Sequence, residues 1–303
     1  MKKLTFTEKM FAWGRLLRLP NLFTAPWDPV CGFLIAGGAA HSEKIASLAA
    51  GALCAYAFGL LTNDIADLKT DEKERPDRPL PAGEISLKAA SIAAVALCFL
   101  ALELISIAGQ YTCFGMMGLL VTILLYNYCG RSHSLLSPAL MALCRILSFG
   151  VGVIAALPGI SPVSMMLCIL FACGYFLFIF GITLASRRET DLLPCRPGRM
   201  PMFLGALLAL CAGAVWTGGM TLTLMQPVSG ALLLLFILAA AAAWRQFGKK
   251  LEPAAVQKRI GSLIRSLILL QGALILPASP VWGIAAVCCL PLAVLASRKF
   301  YGS

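Results

Sequence analysis

The chain has 303 residues, of which 59% are apolar and only 13% charged, and its mean hydropathy is +0.85. Such a composition cannot clothe an apolar core in a polar shell, which excludes a water-soluble globule. The net charge of +11 would suit nucleic acid, but the basic residues lie between long apolar runs, and that placement points to a lipid bilayer instead.

Apolar runs of about 18 residues or more, long enough to cross a bilayer as helices, recur along the chain. They fall at 20–40, 44–62, 87–107, 111–129, 136–157, 162–185, 201–222, 227–244, 262–277 and 281–297. Backbone groups in lipid must be satisfied within their own segment. The expectation is therefore an all-α membrane protein, one domain over 1–303, with eight to ten transmembrane helices. Arg265 and Gln271 interrupt the penultimate run. Near the start, Arg15 and Arg18 break up the apolar residues before any small-residue cleavage site, which argues against a cleaved signal.

Lys2, Lys3, Lys9, Arg15 and Arg18 precede the first run, and Lys69 to Lys88 occupy the second connection. Arg131 lies in the fourth, Arg187 to Arg199 in the sixth, and Arg245 to Arg259 in the eighth, while the odd connections hold little beyond Lys44. Positive charge gathers on the cytoplasmic side of membrane proteins. With ten crossings, the alternation predicts a multi-pass protein with both termini and every even connection in the cytoplasm. The twelve cysteines include no C-x-x-C, and most sit inside runs as small apolar packing residues. His41 and His133 are single residues in short loops and receive no role.

The stretch "LLTNDIADLKTDEKERPDRPLPAGEIS", residues 60–86, holds seven of the fourteen acidic residues. If the second helix continues past Leu61, Asp64, Asp67 and Asp71 fall within about 60° of one face. Asp64 and Asp71 are then about 10 Å apart along the axis. Carboxylates so close repel one another unless cations sit between them. Hard oxygen ligands suit magnesium, which takes one or two carboxylates and completes its shell with water and substrate phosphate. Asn63 adds an amide beside them. Lys69, Lys73, Arg75 and Arg78 follow at once, and guanidinium forks match phosphate oxygens. "RPLPAG" then ends the loop before the third run. The whole describes a site for a diphosphate with a lipid tail at a cytoplasmic membrane mouth. An ordinary solvated loop accounts for neither the one-face spacing nor the concentration of acid.

"NDIADLKTDEKERPDRPLPAGEIS" resembles the N-D-x-x-D-x-x-x-D plus R-P-L-P-x-G signature of the UbiA superfamily of intramembrane prenyltransferases. "RLLRLPNLFTAPWDPVCGFLIAGG" is similar to that family's opening helix, and "YNYCGRSHSLLSPALMALCRILSFGVG" to its fourth-to-fifth helix passage. "TAPWD" and "SRRE" resemble the EboC-like branch. The resemblance implies helices, usually nine, around a central cavity, so a tenth run departs from the pattern. It also implies Mg²⁺-dependent transfer of a prenyl group from an isoprenyl diphosphate to a lipophilic, often aromatic, acceptor. A second acidic motif of the family corresponds to "LASRRETD". There Arg188 and Glu189 keep their counterparts and Asp191 matches the later aspartate, but Arg187 replaces the first. The implied metal ligands are thus Asp64, Asp67, Asp71, Glu189 and Asp191. Arg187 and Arg188 join Asn63, Lys69, Lys73, Arg75 and Arg78 at the diphosphate. An arginine can grip a diphosphate directly; the bland alternative is that 186–191 is a positive helix end.

Asp28 and Arg145 lie deep inside apolar runs, each about nine residues from the start of its run. Intramembrane ionisable residues are costly and face the bundle interior. Arg145 is a catalytic candidate that would reach the diphosphate or the acceptor, and Asp28 would orient the acceptor or pair with a cation. A structural ion pair is the alternative for both. Glu103, near the far end of its run, reads as structural. Tyr126 and Tyr128 match aromatic positions of the family and would stack on a developing cation, or sit in an interfacial belt. Against an enzyme stands a second class, a transporter or lipid-binding protein that holds a polyprenyl phosphate unchanged on the same fold.

Overall fold

The computed structural model describes residues 5–130, 133–187, 196–219, 225–248 and 252–300. Its elements are helical throughout, with no strand among the described residues. In chain order they are α1 (Phe6–Leu16), α2 (Leu19–Leu22), α3 (Trp27–Ile35), α4 (Ile45–Glu74), α5 (Leu87–Ser106) and α6 (Thr112–Tyr128). Then come α7 (Leu136–Ala156), α8 (Pro162–Ser186), α9 (Arg196–Gly219), α10 (Gln226–Gln246), α11 (Pro253–Ile275) and α12 (Pro280–Phe300). A 3₁₀ segment, Gly38–Lys44, leads into α4.

Seven stretches among the described residues are long and apolar enough to span a membrane. With the shorter α6, the more polar α11 and the broken α2–α3 pair, they account for the apolar runs of the sequence. On α5, Ile92, Val95 and Phe99 are exposed, as are Leu234 and Leu238 of α10 and Val281, Ile284 and Leu295 of α12. Outward faces this apolar suit lipid and would be a liability in water.

The first run departs from the continuous helix expected over 20–40. It breaks between Leu22 and Trp27, because Pro20, Pro26 and Pro29 lack the amide needed to continue a helix but suit its first turn. The second run behaves as expected and more: α4 continues unbroken for 30 residues to Glu74. It ends where Arg75, held out of the helical region by the proline that follows, turns away with φ −145°. Arg265 and Gln271 do not interrupt α11 at all.

One helix crossing decides where the intramembrane charges go. A Cβ on Gly32 of α3 would lie 2.1 Å from the Phe149 carbonyl oxygen, and one on Gly152 of α7 would lie 1.8 Å from that of Pro29. Only glycine admits this backbone-to-backbone contact. Asp28 and Arg145 therefore leave adjoining helices just before the crossing, within reach of each other.

Candidate active site

The end of α4 builds the mouth of the site. Asn63 donates through Nδ2 to Asn127 Oδ1 at 3.2 Å, and Asn127 donates to Thr62 Oγ1 (2.8 Å) and to the Gly59 carbonyl (3.1 Å). That bracket from α6 fixes the Asn63 amide. Asp64 and Asp71 are both turned inward and buried, while Asp67 between them is half-buried.

A buried carboxylate needs a partner, and each has a guanidinium. Arg18 Nη2 donates to Asp64 Oδ1 at 2.8 Å and to Asn63 Oδ1 at 3.1 Å. Arg78 Nη1 donates to Asp71 Oδ2 at 2.6 Å and lies 3.8 Å from Asp64 Oδ1. Arg18 sits at the α1–α2 turn with φ 44° and ψ 52°, a left-handed conformation uncommon outside glycine. An Arg15–Glu84 ion pair ties α1 to the loop that carries Arg78. In that loop Leu80 and Ile85 are buried anchors, and Ser86 Oγ accepts from the Ala89 amide to start α5.

A cavity of about 310 Å³ runs inward from Arg18, Asn63, Tyr126 and Ser186 between walls that include Ile123, Ile179, Ile182 and Leu267. Its residues at this end lie toward the C-terminal ends of α4, α6 and α8 and the N-terminal end of α11, where Ile260 also lines it. Two turns of α4 deeper, about 10 Å, Tyr56 marks the level of a second polar group. There Arg145 Nε lies 3.1 Å from Asp28 Oδ2, and Arg145 Nη2 donates to Tyr175 Oη at 2.9 Å. Tyr175 Oη donates to Asp28 Oδ1 at 2.7 Å, and Gln271 Nε2 donates to the same oxygen at 2.8 Å and to the Thr24 carbonyl at 3.0 Å. The Arg145 guanidinium also lies 5.9 Å from the ring centroids of Tyr56 and Tyr175.

Of the sequence candidates, Asn63, Asp64, Asp71 and Arg78 meet at the mouth, Tyr126 lines the cavity there, and Asp28 and Arg145 meet at the inner end. Lys69, Lys73 and Arg75 are exposed on the outer side of the α4 terminus, and Tyr128 is exposed and outside the cavity lining. Arg187 is exposed and directly follows Ser186, a mouth residue. Arg188, Glu189 and Asp191 lie outside the described residues. The sequence reading missed Arg18, Asn127, Tyr56, Tyr175 and Gln271. An asparagine, a tyrosine and a glutamine inside apolar runs were signals of a kind, but their partners are far away in the chain.

Among the described residues no three His, Cys, Asp or Glu side chains converge on a point where they could hold a metal ion. The donor set nevertheless fits magnesium. Two buried carboxylates and an amide oxygen meet at one end of the cavity, and one or two carboxylates suffice when phosphate and water complete the shell. In this state two guanidinium groups neutralise those carboxylates.

The model of the UbiA prenyltransferase family matches residues 29–263. A digeranylgeranylglyceryl phosphate synthase from Methanococcus maripaludis is 31% identical over 167 residues, which is 53% of this chain and 58% of that protein. One from Methanocaldococcus jannaschii is 33% identical over 101 residues, 33% of this chain and 35% of the relative. The chain thus spans at most little more than half the length of the curated relatives it matches. Among solved structures, a UbiA homolog from Aeropyrum pernix K1 superposes with a TM-score of 0.62 at 18% identity, over 84% of this chain and 97% of that one. A homolog from Archaeoglobus fulgidus, bound to GPP and Mg²⁺, gives a TM-score of 0.59 at 17% identity, over 87% of this chain and 99% of its own. At such identities the likeness establishes a common fold.

Proposed function

Since the chain belongs to the UbiA prenyltransferase family, we propose that it transfers a prenyl group from an isoprenyl diphosphate to a lipophilic acceptor inside the membrane. The observation that carries this reading is the meeting of Asn63, Asp64, Asp71, Arg18 and Arg78 at the mouth of an apolar-walled cavity. The relative from Archaeoglobus fulgidus is bound to GPP and Mg²⁺, and this donor set suits the same partners.

Asp64 and Asp71, with Asp67 beside them, would hold the magnesium, whose charge offsets that of the departing diphosphate. Arg18 and Arg78 then exchange their carboxylates for diphosphate oxygens, with Arg187 approaching from the end of α8. The bond between the allylic carbon and the diphosphate oxygen breaks, and its electron pair leaves with the diphosphate. A lone or π pair of the acceptor forms the new bond to that carbon, and the acceptor's proton passes to a base. Isoleucine and leucine walls keep water from the cationic carbon, and the faces of Tyr56 and Tyr126 stabilise it. Tyr128, on the outer surface, serves as an interfacial anchor instead. The positive-inside pattern supports a cytoplasmic mouth. The names of the curated relatives, digeranylgeranylglyceryl phosphate synthases, support an acceptor of glyceryl lipid type rather than an aromatic one.

One observation favours a rival, a protein that binds a polyprenyl phosphate without turnover: the carboxylates are already neutralised by arginine. Incubation of the purified protein with Mg²⁺ and labelled geranyl diphosphate, plus membrane lipid extract, separates the two. Released diphosphate together with a prenylated lipid is expected. Substrate that stays bound and intact overturns the proposal.

A further inference from the structure

We infer that the Asp28–Arg145 pair is a recognition site for the acceptor, and that it selects a neutral head group carrying a hydroxyl. This inference rests on the prenyl-transfer reading. The pair lines the same cavity as the mouth, about 10 Å inward by the rise of α4. That depth leaves room for a diphosphate at the mouth, its first allylic carbon below it, and an acceptor atom beyond.

Charge decides the class. Arg145 is formally cancelled by Asp28 at 3.1 Å, so the inner end offers no net positive charge. A phosphate or carboxylate lodged there would face the Asp28 carboxylate in a dry space, which is a strong rejection. A hydroxyl both donates and accepts. It can give its proton to Asp28 and take one from Arg145 or from Ser148, which lines the cavity beside them.

Hydrogen bonding supplies a second observation. Asp28 is 2% exposed, and its Oδ1 is saturated by Tyr175 and Gln271. Its Oδ2 has the ionic contact to Arg145 but receives no hydrogen bond among the described residues. A purely structural ion pair in an apolar interior would be expected to have both oxygens filled. Sites built to bond a substrate hydroxyl leave such a vacancy, and they discriminate sharply against molecules that cannot fill it.

The test uses the full-length protein in detergent, without Mg²⁺ or donor and with inorganic diphosphate at saturation so that the phosphate probe cannot occupy the mouth. Binding is measured for hexadecylglycerol, nonylphenol and hexadecylglycerol phosphate, with geranyl diphosphate binding measured separately. At least one neutral probe should bind tighter than the phosphate probe by about tenfold or more; which of the two binds distinguishes a glyceryl from a phenolic head. Asp28→Asn and Tyr175→Phe should each weaken that neutral probe by about tenfold and leave geranyl diphosphate binding unchanged. Should Asp28→Asn fail to fold, the double change Asp28→Asn/Arg145→Gln removes both partners of the hydroxyl and must weaken the neutral probe by about tenfold. Equal or tighter binding of the phosphate probe, no binding of either neutral probe, or unchanged neutral binding in the variants overturns the inference. Failure to bind or turn over geranyl diphosphate with Mg²⁺ would instead overturn the prenyl-transfer reading.

Discussion

The mouth and the inner end of the cavity use the same chemical pair, aspartate with arginine, under opposite conditions. At the mouth the Arg18 and Arg78 side chains remain 30% and 26% exposed beside carboxylates that are 7% and 6% exposed. At the inner end the Arg145 side chain is 9% and the Asp28 side chain 1% exposed. Solvent screens the first pairs and lets their arginines exchange partners at little cost. The second pair has no water to fall back on and is fixed by Tyr175 and Gln271 as well as by the α3–α7 crossing. Exchangeable charge thus stands at the mouth, where the proposed diphosphate would enter, and fixed charge at the inner end.

Breaking the inner pair should have the largest effect on folding. Arg145→Ala leaves Asp28 buried and uncompensated, so unfolding by denaturant in detergent should show a loss of about 3–5 kcal/mol. Adding Asp28→Asn should recover most of it. A loss below about 1 kcal/mol would put the two regions in one class and end the comparison. At the mouth the expected loss is of function instead. Asp64→Asn should lower prenyl transfer by about 100-fold or more with the unfolding curve little changed, and near-parental turnover at saturating Mg²⁺ would remove this aspartate from the reaction. Arg187→Ala should weaken geranyl diphosphate binding about tenfold, with Arg187→Lys in between because lysine keeps the charge and loses the fork. Parental affinity in both would reduce Arg187 to a positive helix end. Smallest of all, Arg18→Ala should cost less than about 1 kcal/mol of stability, measured in the same unfolding assay.

The same contrast governs what could be read before the fold was known. The aspartates of the mouth lie on one helix at spacings of three and seven, so helical periodicity alone puts them on one face, and α4 duly continues through Asp71. Asn127 pairs with Asn63 across 64 residues, and no local pattern announces it. The inner cluster draws on α3, α7, α8 and α11. Asp28 and Arg145 stood out because charge in an apolar run is costly, but Tyr175 is one aromatic among several in "YFLFIF". Gln271 read as a flaw in a span because its partners are 243 and 247 residues away. The break in the first run was legible in Pro20, Pro26 and Pro29, and it was overridden by the apolar residues around them.

That break has a consequence for how the protein is made. Once synthesised, α2 and α3 carry a bare Thr24 carbonyl and an unpartnered Asp28 into the membrane, and the glutamine that satisfies both comes 243 residues after Asp28. A ribosome adding about 5–20 residues per second reaches it on the order of ten to fifty seconds later. Arg145 and Tyr175 arrive sooner, in that order. Released alone into lipid, the first segment would bear the cost of both unpaired groups. Its retention at a hydrated or protein-lined margin until α7, α8 and finally α11 close around it is the expected course, which makes biogenesis of this bundle a matter of retention before release.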